Sequence, residues 1–131
     1  MNLAWLLQRC ASMFGERPAL HVGTDFWCNY RELRERAARM AGWLRQELGF
    51  NRADRVALVL ENCPEYVELL FACWHAGLTA VPINAKLHPR EINYILSQSG
   101  ARACFTNSKL ESNVTEAAEP LQDLMEVIEL S

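Results

Sequence analysis

The stretch that decides the fold spans residues 55–84 and reads RVALVLENCPEYVELLFACWHAGLTAVPIN. Its opening apolar run is typical of a strand that is buried on both faces, as in a parallel sheet. Pro64 fits the first turn of a helix, where its missing N–H breaks no bond, and the Asn-Cys pair before it stands at the cap. Gly77 is the expected end of that helix, and a second apolar run follows at residues 79–83. Strand, helix and strand with short joints predict a right-handed βαβ unit.

The sequence before this unit predicts two helices and a hairpin. Apolar residues that recur every three or four positions indicate a helix over residues 2–14, and two short extended runs around a Gly-Thr pair predict a hairpin. Asn29 and Glu32 form a capping-box pattern, which begins the second helix. On that helix, Glu32 and Arg36 have the spacing of a favourable ion pair. Residues 50–54 then form a polar joint into the central unit.

The sequence after the central unit alternates helix and strand signals. Pro89 begins a helix, and residues 103–106 have the composition of a third buried strand. Residues 109–119 are weakly helical at best. Met125 belongs to the segment that leads into a fourth strand at residues 127–130.

These elements together predict an α/β fold. The order is αββαβαβαβ(α)β, which favours a mostly parallel sheet with helices on both faces. We expect residues 1–131 to form a single α/β domain or subdomain, with a weaker pattern over residues 107–131. A chain of this length can bury a core without disulfides or structural metals.

Composition excludes several classes of protein and indicates a reducing compartment. The net charge is −3 and 22% of the residues are charged, so no basic surface indicates a nucleic-acid or anionic-membrane partner. Gln8-Arg9 interrupts the apolar N-terminus too early for a signal peptide or a membrane span. The five cysteines are odd in number and form no CxxC pair, which indicates free thiols and a cytoplasmic location.

No reactive constellation is found in the sequence. The patterns GxxxxGK[ST], GxGxxG, HExxH and GxSxG are absent, and the six glycines stand singly. His21, His75 and His88 are far apart in the sequence and have structural explanations in a hairpin, a helix end and a helix cap. Every cysteine fits a packing role as a small apolar residue. The sequence therefore predicts no catalytic, cofactor-binding or metal-binding residue.

One edge of the sheet is the place where this chain would contribute to a ligand site. In open α/β sheets, ligands bind beyond the carboxyl ends of the strands. The loops that follow three of the predicted strands lie at residues 61–63, 84–88 and 107–109. We expect any contribution to binding to come from these loops.

Several short motifs occur in a specific order and spacing. They are Tyr30-Arg31-Glu32-Leu33, Asp54-Arg55-Val56-Ala57-Leu58, Asn62 with Glu65, Ala72 with His75-Ala76-Gly77, Val81-Pro82-Ile83-Asn84, Glu91-Ile92, Ile95-Leu96 and Ser99-Gly100-Ala101. In these motifs the chain resembles the N-terminal part of the adenylate-forming ligases: acyl-CoA synthetases, peptide-synthetase adenylation domains and luciferases. The resemblance covers residues 3 to 106. In peptide-synthetase adenylation domains the Val-Pro stretch usually ends in Asp. Here it ends in Asn84, so the resemblance is strongest to the AMP-dependent acyl-CoA synthetases.

The resemblance implies a function for a longer protein, of which this chain is expected to be an N-terminal piece. Such ligases use ATP and Mg²⁺ to activate a carboxylic acid as an acyl-adenylate, and then transfer the acyl group to CoA. In the family, the Ser/Thr/Gly-rich phosphate loop, the aromatic-Gly-x-Thr-Glu motif, the ribose-binding Asp, the hinge and the C-terminal domain lie downstream of the part that this chain resembles. We therefore expect an inactive scaffold whose partner is the remainder of the ligase, and no family functional residue maps onto it.

Two alternatives to the acyl-CoA synthetase remain open. One is a fragment of an amino-acid adenylation domain, and the other is a stand-alone interaction module without enzymatic activity. A missing partner would leave an apolar face uncovered, so we also expect self-association through exposed aromatic residues such as Trp5, Trp27 or Trp74.

Overall fold

The computed structural model describes residues 1–124 and 126–130 and confirms the predicted α/β fold class. The chain divides into two compact units, one of residues 1–52 and 62–78 and one of residues 53–61 and 79 onward. Met125, predicted to lead into the last strand, lies outside the described residues. The elements are α1 (Ala4–Phe14), β1 (Pro18–Val22), β2 (Asp25–Asn29), α2 (Tyr30–Gln46), β3 (Arg55–Val59), α3 (Pro64–His75), β4 (Thr79–Ile83), α4 (Pro89–Ser99), β5 (Ala103–Asn107), α5 (Glu111–Ala118) and β6 (Glu126–Leu130).

The first unit contains the β1–β2 hairpin and helices α1, α2 and α3. The predicted capping box begins α2: Asn29 Oδ1 accepts from the Glu32 amide at 2.8 Å, and Glu32 Oε2 accepts from the Asn29 amide at 2.9 Å. Helix α3 follows Cys63, which is extended and makes no side-chain cap bond. The helix ends before Gly77, whose φ of +76° is the left-handed conformation that a helix C-terminus favours.

The second unit contains a four-stranded parallel sheet with the strand order β4-β3-β5-β6. Alternate side chains of the strands, including Ala57, Val59 and Cys104, pack in one buried cluster with residues of α4 and α5. The intervening side chains Val56 and Leu58 are also fully buried, as the continuous apolar pattern of β3 predicted.

Two predictions for the first unit were wrong. Phe50, assigned to a polar joint, is buried, because the chain turns after Gly49 and the Phe50 amide donates to the carbonyl of Leu44 at 3.2 Å. The expected Glu32–Arg36 pair is not among the ion pairs of the described residues. Glu32 caps its own helix, and Arg36 instead bonds to Glu68 of α3.

Candidate functional site

The carboxyl edge of the parallel sheet lies in the second unit, together with Glu61 and the predicted loops after β4 and β5. In the strand register Val59 pairs with Ile83, and Leu58 pairs with Phe105, so the three strands end at the same level. Glu61 and Asn84, which come after β3 and β4, and Asn107, the last residue of β5, therefore lie at one edge of the sheet.

The polar side chains of this edge bond to one another and to their own loops. Lys109 Nζ donates to Glu61 Oε1 at 2.7 Å, which joins the loop after β3 to the loop after β5. Asn84 Oδ1 accepts from the amide of Lys86 at 2.9 Å, and Asn107 Oδ1 accepts from the amide of Leu110 at 3.1 Å. These are turn-forming contacts of the kind that Asn side chains commonly make. They order the loops and present no activated nucleophile or general base.

Thr106 is the exception to this pattern of bonded polar groups. It lies near the end of β5, is fully buried, and its hydroxyl has no hydrogen-bond partner among the described residues. A buried hydroxyl without a partner is uncommon and unfavourable. No sequence signal marks Thr106, because Thr is also an ordinary strand residue.

Four of the five thiols of this chain are not poised for nucleophilic chemistry. Burial raises the pKa of Cys73 and Cys104 to about 12 in each case. Burial also raises the pKa of Cys63 and Cys28, and nearby carboxylates add to this effect. A thiol with a raised pKa stays protonated at neutral pH and is a poor nucleophile.

Two of the three histidines make structural contacts. His88 caps α4, as predicted, with Nδ1 accepting from the amide of Arg90 at 3.2 Å. His21 lies in the hairpin with its ring edge-on to Phe26 at 6.2 Å, and His75 is exposed at the end of α3. Within the described residues, no group of three His, Cys, Asp or Glu side chains could hold a metal ion.

Arg36, which lines a charged cleft in the first unit, makes a contact that the sequence did not reveal. Glu68 is buried in α3, and its Oε2 accepts from Nε of Arg36 on α2 at 2.9 Å. The guanidinium of Arg36 also lies over the Trp27 ring, 4.6 Å from its centroid. The cleft has a volume of about 440 Å³ and is lined by Trp27, Cys28, Glu32, Glu35, Arg36, Arg39 and Glu65. The Arg36 contacts tie α3 and β2 to α2, so we interpret this cluster as structural.

The exposed apolar surface is concentrated on α1. Trp5 is 67% exposed, whereas Trp27 and Trp74 are half-buried. Met13 and Leu6 are exposed as well. Of the three tryptophans named for an uncovered face, Trp5 therefore has the required exposure, and self-association itself stays a prediction. In the described part of the chain, no helix is both long and apolar enough to span a membrane.

Comparisons with known proteins identify the class of fold. The benzoate CoA ligase of Burkholderia xenovorans matches all of this chain over 26% of its own length, with a TM-score of 0.89 and 30% identity. The N-terminal domain of FACL13 from Mycobacterium tuberculosis matches 98% of this chain over 34% of its length, with a TM-score of 0.87 and 28% identity. Since nearly the whole chain matches within an N-terminal domain, the fold is that of the N-terminal portion of such ligases.

Sequence comparisons then define the family. The AMP-binding enzyme family matches residues 7–130, so the chain belongs to that family. A long-chain-fatty-acid–CoA ligase of Salmonella typhimurium is 32% identical over 118 residues, which are 90% of this chain and 21% of the relative. A feruloyl-CoA synthase of an Amycolatopsis species is 39% identical over 98 residues, 75% of this chain and 19% of the relative. The chain thus spans about a fifth of the length of these curated relatives, and the predicted resemblance is confirmed.

Proposed function

We propose that this chain is the N-terminal scaffold of an AMP-forming acyl-CoA ligase. The observation that carries the proposal is the family match over residues 7–130, together with relatives that are named as CoA ligases and synthases. In the complete enzyme, a carboxylate oxygen attacks the α-phosphorus of ATP and pyrophosphate leaves, which forms the acyl-adenylate. The CoA thiol then attacks the acyl carbonyl, and AMP leaves.

The residues at the sheet edge do not favour a site for ATP, Mg²⁺ or CoA there. The glycines stand singly and form no phosphate-binding loop. Glu61 and Lys109 at the sheet edge neutralise each other, and the described residues form no metal cluster. We therefore propose that the cofactors and the carboxylic acid bind to parts of the ligase outside this chain. The role of this chain is to hold the parallel sheet and its edge loops in place.

Three further aspects belong to this proposal. Residues 1–131 are one subdomain of the ligase, which the continuous family match supports. The ligase works in the cytoplasm, which the five free cysteines support. Its acid substrate is a long-chain fatty acid or a hydroxycinnamic acid such as ferulate, the two classes that the names of the relatives indicate.

A chimaeric ligase tests the proposal. The corresponding segment of the Salmonella typhimurium ligase is replaced by this chain, and acyl-CoA formation is measured with palmitate and with ferulate. We expect the chimaera to form acyl-CoA at a rate within about a hundredfold of the parent, because the catalytic parts are unchanged. Misplacement of a catalytic group by about 1 Å lowers the rate by about a hundredfold. A folded chimaera without activity on either acid would contradict the scaffold role.

Calorimetry on the chain alone tests the proposal that the sheet edge of this chain holds no part of the ATP site. Replacement of Lys86 and Lys109 by Gln is expected to leave the heat of titration with ATP and Mg²⁺ unchanged, because no phosphate loop is present at the sheet edge. Micromolar binding that is lost on substitution of Lys86 or Lys109 at the sheet edge would show that this chain holds part of the ATP site.

A further inference from the structure

The charged side chains that line a second cleft in the first unit are all basic. It lies where α3 ends and has a volume of about 550 Å³. Among the described residues, its lining contains two arginines and a histidine but no carboxylate. The lining residues are Met1, Asn2, Leu3, Arg45, Arg52, Trp74, His75, Ala76, Gly77 and Leu78.

The guanidinium of Arg45 and the aliphatic stem of Arg52 both lie beside Gly77 in this cleft. A Cβ atom added to Gly77 would lie 3.6 Å from Cγ of Arg52 and 4.0 Å from Nη1 of Arg45. Gly77 has a φ of +76°, which disfavours a residue with a side chain. The backbone conformation therefore leaves the space beside the Arg52 stem and the Arg45 guanidinium free of a side chain from position 77.

The charges of the cleft are only partly balanced. Arg45 Nη1 donates to the carbonyl of Ala76 at 2.9 Å, so this arginine caps the C-terminus of α3. The end of a helix contributes a charge of about −0.5. Arg52 has no hydrogen bond or ion pair among the described residues. The two guanidinium groups and the helix end together leave a charge of about +1.5.

We propose that this cleft binds a phosphate group, with Arg52 as its principal contact and Arg45 as the second. A guanidinium presents five N–H donors in a planar fork that matches phosphate oxygens, and the bond of Arg45 to Ala76 occupies only its Nη1 group. His75 and Trp74 at the rim can supply ring N–H donors. The cleft lies within the first unit. The inference goes beyond the proposed ligase function and does not rest on it.

Nuclear magnetic resonance on the ¹⁵N-labelled chain tests this inference. Inorganic phosphate, pyrophosphate and AMP are titrated separately at constant ionic strength, and the Gly77 amide and the Trp74 indole N–H are followed. We expect saturable shifts of both signals with at least one ligand. Tighter binding of AMP than of phosphate would identify a nucleotide site, and equal binding would identify a site for the free anion.

Charge-removing variants make the test specific. Because a hydrogen bond to a charged group contributes about 1.5–3 kcal/mol, Arg52→Gln should weaken binding tenfold to a hundredfold. Arg90→Gln, a matched change on the exposed start of α4 in the other unit, should leave the affinity unchanged. Absence of saturable shifts, or equal affinity in Arg52→Gln and the parent, would overturn the proposal.

Discussion

Replacement of Thr106 by Val is expected to stabilise the fold. Thr106 is fully buried in β5, and its hydroxyl has no hydrogen-bond partner among the described residues. Val has the same branched shape and places a methyl group where the hydroxyl oxygen lies. The substitution therefore removes an unsatisfied polar group and leaves the packing volume almost unchanged.

The magnitude follows from the desolvation of the hydroxyl. Burying a hydroxyl without a hydrogen bond costs about 1–3 kcal/mol in proteins. We take the lower end of this range, because a methyl group is slightly larger than a hydroxyl and tighter packing offsets part of the gain. A gain of about 1 kcal/mol raises the melting temperature of a domain of this size by about 3–4 °C. In urea it moves the unfolding midpoint by about 0.5 M.

Urea and thermal unfolding, followed by circular dichroism, measure this gain. Thr106→Ser is the matched variant, because it keeps the hydroxyl and removes the methyl group. It should lose about 1 kcal/mol through the lost burial and the small cavity. Thr79→Val on β4 is the control for a gain in strand propensity alone, because Thr79 is exposed. This control should change the free energy of unfolding by less than about 0.5 kcal/mol.

The result that would refute this reasoning is a loss of stability in Thr106→Val. A loss of about 1 kcal/mol or more would mean that the hydroxyl is hydrogen-bonded, most simply to a buried water. An unchanged denaturant slope is required for either interpretation, because a changed slope would indicate an altered unfolded state or a transition that is not two-state.

Three further predictions concern the two units. Glu68→Ala should lower the free energy of unfolding by about 1–2 kcal/mol in urea titrations, because Arg36 loses its charged partner but stays partly exposed and hydrated. Above pH 9, each buried thiol of Cys73 and Cys104 should lower that free energy by about 1.4 kcal/mol per pH unit, because only the unfolded state releases its proton until the folded pKa of about 12 is reached. Unfolding at pH 8 and pH 10 tests this, and Cys73→Ala should flatten the slope. Gly42→Ala should raise the melting temperature by about 2–4 °C, because Gly42 lies inside α2 with open space where a Cβ would lie.

Features that depend on neighbouring residues could be predicted from the sequence. The capping boxes of α2 and α4 join residues three positions apart, so Asn29 with Glu32 can be recognised without a structure. Gly77 and Gly100 end helices in the left-handed conformation for the same local reason. The continuous apolar run of β3 predicted a parallel strand, and the strand register confirms it.

Features that depend on distant residues could not be predicted. Arg36 and Glu68 are 32 positions apart, and Glu61 and Lys109 are 48 positions apart. Helical spacing suggested Glu32 as the partner of Arg36, because only partners on the same helix are visible in a sequence pattern. The burial of Phe50 has the same origin, since it depends on the turn that brings this residue back to the end of α2.

The position of the edge loops could be predicted from the sequence, whereas the bonds that their side chains make could not. The strand register confirms that the edge loops begin at the carboxyl ends of the strands, whereas ligand binding at this edge stays a prediction. Their chemistry depends on which bonds the side chains make after folding. Asn84 and Asn107 use their oxygens on their own loops, and the Glu61–Lys109 pair has no net charge. A ligand at this edge would therefore meet ordered loops in which Lys86 is the cation outside the Glu61–Lys109 pair, an arrangement that suits the proposed scaffold role.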